Sequence, residues 1–166
     1  PEDNLLQVAL HIAKHTFVRA PGFRLHTDVD RIVTVEDIDW TMFTSRVCKL
    51  KTKTAVYLSL DMAKTLLGTR VPDNVLKVLK PNKFKVKLMN LWLEKVGIFE
   101  PDSPKWGKIG YIIFVSLLYD DFSDFFRGIF PPESKMKEVF KFSNSLLLPY
   151  YHCKRIINLL TKRTDT

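Results

Sequence analysis

The sequence predicts an all-α protein, a single multi-helix, bundle-like domain of about eight or nine helices. Three observations point there. Apolar residues recur at three- and four-residue spacings, and no strictly alternating stretch of useful length occurs. Capping and stopping residues fall between those runs. Glycine is sparse, six in 166 residues, while helix formers such as Leu and Lys are plentiful. A chain of this length buries one hydrophobic core, so residues 1–166 read as one domain. Its 46% apolar and 27% charged content excludes disorder as the default state.

Glu2 to Arg19 reads as the first helix. Leu5, Leu6, Ala9, Leu10, Ala13 and Phe17 share one stripe, with Asn4, Gln7, His11 and Lys14 opposite. Glu2 and Asp3 suit the positive end of the helix dipole, and Pro21-Gly22 stops the helix. A second helix covers Phe23 to Val35, with Leu25, Val29, Ile32 and Val33 inward. Asp39 caps a third, taking orphan amide protons while Trp40, Phe43 and Val47 pack. Thr52 or Thr54 caps a fourth, Thr54 to Leu67, which is apolar around most of its circumference and therefore central; Gly68 is its C-cap.

Pro72 sits in the first turn of a short helix ending near Lys80-Pro81. The next helix runs to about Val96, with Phe84, Leu88, Leu91 and Trp92 on one face. Gly97 to Pro104 is the best internal sub-boundary. Trp106 to Phe126 reads as long, aromatic and largely buried, with Asp120, Asp121 and Asp124 as an acidic rim between buried phenylalanines. Pro131-Pro132-Glu133 opens a helix carrying the Glu133/Lys137 pair. Ser145 to Leu160 closes the fold, and Thr161 to Thr166 frays. Trp40, Trp92 and Trp106 each fall on an apolar stripe and read as packing residues rather than base-stacking ones.

Charge and cysteine content narrow the partners. The net charge is +8, and residues 70–108 hold nine basic and four acidic side chains. Such a surface attracts phosphates through a salt-sensitive field, although a solvated lysine face is the plainer reading. Cys48 and Cys153 form no disulfide framework and fit a reducing, cytoplasmic setting. The longest uncharged apolar run, Ile109 to Tyr119, is eleven residues. A bilayer span needs about 20, so no membrane is expected.

The segments Glu36-Asp37-Ile38-Asp39-Trp40, Lys53-Thr54-Ala55-Val56-Tyr57 and Leu66-Leu67-Gly68-Thr69-Arg70-Val71-Pro72 occur in an informative order and spacing. Together they resemble the C-terminal, helical half of a family of uncharacterised nucleotidyltransferases, distant relatives of polymerase-beta-like enzymes. Leu5-Leu6 with His11 and Lys14-His15, Thr27 to Val33, and Arg127 to Pro132 extend the likeness; Leu148 to His152 fits less sharply. For the intact enzyme, the resemblance implies transfer of a nucleoside monophosphate from a nucleoside triphosphate to an acceptor, with magnesium. The catalytic half is then expected before Pro1, as this chain's partner. The chain itself holds no catalytic residue, binds no cofactor alone, is inactive alone, and covers the cleft while binding nucleotide or acceptor.

Two Asp-x-Asp triplets invite a test, because such enzymes hold divalent metal on paired carboxylates. Asp28 and Asp30 lie in a helical pattern, where residues two apart point about 200° from one another. Asp37 and Asp39 read as turn and cap residues. Neither triplet follows the Gly-Ser turn that cradles nucleotide phosphates.

The substrate- and phosphate-binding candidates are His11, His15, Asp28 and Arg31, with Lys53 and Arg70 as phosphate-attracting charges. His11 and His15 share a helix face, a geometry zinc sites use, and His26 or Asp28 could supply a third ligand. The plainer reading is that His15 pairs with Asp28 and pins two helices. Two alternatives stand beside the family reading. One is a non-enzymatic helical module for peptide, protein or RNA; the other is a metal-dependent hydrolase built on His11, His15 and Asp28.

Overall fold

The computed structural model describes residues 1–15, 22–96 and 108–161. They form α1 (Glu2–His15), α2 (Gly22–Val35), α3 (Trp40–Lys49), α4 (Lys53–Leu67), α5 (Asp73–Leu79), α6 (Lys83–Val96), α7 (Lys108–Leu118), α8 (Phe122–Ile129), α9 (Glu133–Phe140) and α10 (Leu148–Thr161), with a 3-10 turn at Ser145–Leu147. The protein is all-α, with no strand among the described residues. No helix among them is long and apolar enough to cross a membrane. The chain divides into two compact units, Pro1–Asp120 and Asp121–Thr166. Segment 97–104, Trp106 and the terminal 162–166 lie outside the described residues.

In the first unit α4 is the axis. Thr54 through Leu60, then Met62 and Ala63, are all buried, as its all-round apolar pattern predicts. On one side Val56, Tyr57 and Leu60 meet Leu5, Ala9, Val29 and Phe43. On the other, Ala55, Leu58 and Met62 meet Met89, Phe114 and Leu117. Ala9 and Ser59 are small enough for close approach of α1 and α4, and the Ser59 hydroxyl donates to the Ala9 carbonyl at 2.7 Å.

The local caps follow the sequence. Asp39 Oδ1 accepts from the Thr41 and Met42 amides, each at 2.9 Å. Gly68 closes α4 at φ +71°, a left-handed turn in which glycine carries no Cβ penalty. The first-turn acids of α1 gain tertiary partners besides the dipole. The Asp39 amide donates to Glu2 Oε1 at 2.8 Å, and Arg46 pairs with Asp3. That amide bond, first among its causes, holds the Glu2 carboxyl below the usual range.

The cap of α4 is non-local. Thr52 makes no side-chain cap bond. Instead the Asp120 carboxylate accepts from the Lys53 amide at 2.9 Å, the Thr54 amide at 2.7 Å and the Thr54 hydroxyl at 2.8 Å. Lys85 Nζ donates to the carbonyls of Tyr119 and Asp120, beyond the end of α7, where a cation complements the helix dipole. Asp120→Ala is expected to lower stability by about 1–2 kcal/mol, read from urea midpoints, and Asp120→Asn by less because one acceptor oxygen remains.

Three expectations are corrected. Trp106 to Phe126 is not one buried helix: the described part breaks at 119–121 into α7 and α8. Phe122 and Phe126 are 59% and 52% exposed, so the neighbouring acids do not rim a phenylalanine core. In α6 Phe84 and Leu91 face solvent, while Met89 is buried and Leu88 and Trp92 pack half-buried. Trp92 stacks on Phe114 at 6.4 Å, and Trp40 meets Phe43 edge-on at 5.7 Å.

The second unit is knit by its own contacts. Phe142 stacks on Tyr151 at 4.4 Å, Met136 is fully buried, and Arg155 donates to the Gly128 carbonyl at 3.1 Å. The anticipated Glu133–Lys137 pair forms at 2.6 Å, and the Ser145 hydroxyl donates to the same carboxylate at 2.5 Å.

Candidate functional site

The polar side of α1 is one wall of a cleft. Asn4, Gln7, Val8 and His11 recur at helical spacing, and across from them α2 presents Leu25 and Asp28. The cleft has a volume of 220 Å³, below the ~300–1,000 Å³ of sites that enclose a whole small molecule. It therefore suits one moiety of a larger ligand. Its functional groups are an imidazole, a carboxylate and two carboxamides above an apolar floor of Val8, Ile12 and Leu25. That set offers hydrogen bonds of both senses to hydroxyls or a heterocycle edge.

The structure thus brings His11 and Asp28 together. His15 ends α1, but its side chain lies outside the described ones. Arg31 is exposed on α2, one turn beyond Asp28. Lys53 and Arg70 flank opposite ends of α4, a helix about 21 Å long, so these two do not converge on one small site. The Lys53 amide is engaged by Asp120. Arg70 follows Thr69, whose hydroxyl lies 2.7 Å from Asp30 Oδ1.

His26 does not join the cleft. It is fully buried, and neither ring nitrogen completes a hydrogen bond of normal geometry among the described residues. Desolvation is the main cause of its lowered pKa, about 4, which the nearby Ser59 backbone only partly opposes. The neutral ring is a packing element between α2 and α4. A signal was available: His26, Val29 and Val33 follow the same spacing as the rest of the inward stripe. Tyr57 is also perturbed, pushed up to about 12 by burial and then by the charge of Asp61. Both residues lie on α4, away from the cleft lining.

Asp28 and Asp30 sit on helix α2 rather than on a strand, with Asp30 engaged by Thr69. Asp39 is a helix cap. Among the described residues no group of three or more His, Cys, Asp or Glu could hold a metal ion.

Residues 1–68 match the model of a family described as uncharacterised nucleotidyltransferase. The match covers 68 of the 166 residues. The nucleotidyltransferase match spans α1 to α4 and ends at Gly68, so the whole cleft lies inside it. Arg70, Arg127 to Pro132 and Leu148 to His152 lie beyond it. No curated protein and no solved structure matches the chain.

Proposed function

We propose that this chain is the helical partner of a nucleotidyltransferase catalytic half, and that its α1/α2 cleft holds part of the nucleotide or acceptor. The observation that carries the reading is the convergence of His11 and Asp28 on one cleft inside the family-matched residues. Transfer of a nucleoside monophosphate, with its magnesium, is assigned to the N-terminal half. Asp28 repels a bare polyphosphate, whereas hydroxyls and a base edge complement it and the amides of Asn4 and Gln7. The cleft accordingly takes the sugar, base or acceptor rather than the phosphates, and Arg31 is the nearest candidate for those in sequence.

Calorimetric titration of the chain with adenosine, guanosine, cytidine, uridine and their triphosphates tests this. One of them is expected to bind, and His11→Ala or Asp28→Ala to weaken it about tenfold, equivalent to 1.4 kcal/mol. Both residues are exposed, so the melting temperature should stay within about 2 °C. Nucleotide transfer by the isolated chain, or a lowered melting temperature with binding unchanged, would overturn the proposal.

A further inference from the structure

The outer face of α6 is a second surface with a chemical signature. Its inward arc holds buried Met89 with half-buried Leu88, Trp92 and Leu93. The opposite arc and the preceding turn carry Lys80, Lys83, Lys87, Asn90, Leu91 and Glu94, which line an open groove of 540 Å³. Three cations face one carboxylate there. Phe84 is 71% exposed and Leu91 49% exposed, and their seven-residue separation puts both on one side of the helix beside Lys87.

The lysines differ in their commitments. Lys85 points the other way and is tied to the Tyr119 and Asp120 carbonyls. Lys80 lies near enough to Asp61 to favour its ionised form. Lys83 and Lys87 form no salt bridge with any described residue. They stand one helical turn apart, about 6 Å along the axis, close to the step between successive phosphates of an extended strand.

We infer that the α6 groove binds single-stranded nucleic acid, with Lys80, Lys83 and Lys87 tracking the phosphates and Phe84 stacking a base. Charge complementarity favours a polyanion, and an exposed aromatic ring among lysines is the platform that sequence-tolerant single-strand binding uses. A membrane surface is disfavoured by Glu94 and Asn90 on the same arc, where a lipid-facing helix needs a continuous apolar stripe. Lysine point charges position a backbone without reading bases, so affinity should depend little on sequence. This inference is independent of the α1/α2 cleft.

The test is fluorescence anisotropy of the full chain with labelled oligouridylate of about 12 nucleotides, from about 50 to 200 mM salt. Three neutralised phosphates give an expected slope of log K against log salt near −2, at about −0.7 per contact. The triple variant K80Q/K83Q/K87Q should bring the slope close to zero. Phe84→Ala should weaken binding about tenfold and leave the slope intact, and Val139→Ala, at an exposed site on α9, should change neither. Absence of binding at low salt, an unchanged slope in the triple variant, or unchanged affinity in Phe84→Ala each overturns the inference. So does tighter binding to phosphatidylserine vesicles than to the oligonucleotide.

Discussion

Leu60→Ala should cost about 4 kcal/mol of unfolding free energy, near the upper end of the roughly 2–5 kcal/mol range for buried leucines. Leu60 is fully buried on the helix that packs against α1, α2, α3, α5 and α7. Removing its side chain deletes apolar contacts and leaves a cavity, and neighbours on every side limit collapse into the hole. The loss is a large fraction of the ~5–15 kcal/mol that holds a typical domain together. Urea unfolding gives the readout. Val78→Ala, at an exposed site on α5, is the control, with a change below about 0.5 kcal/mol. A loss below 1 kcal/mol for Leu60→Ala would show that α4 is not the axis of the core.

Acidification should destabilise the protein through His26, in a window well above ordinary acid unfolding. The folded-state pKa is about 4 against an ordinary value of 6.5. Between those two values the unfolded chain binds the proton and the folded chain does not. Stability is therefore complete above pH 6.5 and falls as pH drops towards 4. The total is about 3 kcal/mol at roughly 1.4 kcal/mol per unit. Depressed carboxylates such as Glu2, Asp73 and Glu133 add their loss lower, as pH falls through their folded values. Asp61, raised mainly by burial, acts in the opposite sense. Urea midpoints at several pH values for the native protein and His26→Leu separate these contributions. The variant should lose the slope between pH 4 and 6.5 and, with no unbonded ring nitrogen to bury, match or exceed the native protein at neutral pH. A slope that survives the substitution would remove His26 from the account.

What the sequence made legible was local or strongly periodic. Asp39 and Gly68 were readable because a cap acts within a few residues of itself. The central place of α4 followed from its uninterrupted apolar girth. What was not legible depended on remote partners. α6 carries apolar residues on overlapping arcs, and the inward one is selected by Phe114 and Leu117 of α7 and by the Lys85 bonds. The Trp106–Phe126 reading failed because Asp120 serves the first turn of α4, which no periodicity encodes. For the candidate site, the polar stripe Asn4, Gln7 and His11 was visible. That α2 turns Leu25 and Asp28 towards it depended on how two helices cross.

The reach of Asp120 back to Lys53 and Thr54 bears on how the molecule is made. During synthesis residues 1–68 emerge before residues 69–120, and until those follow, α4 lacks both a covering flank and a partner for its leading amides. Those arrive only with Met89, Phe114 and Asp120. A polypeptide released at Gly68 would lack these contacts, and the compact unit that contains the matched residues runs on to Asp120.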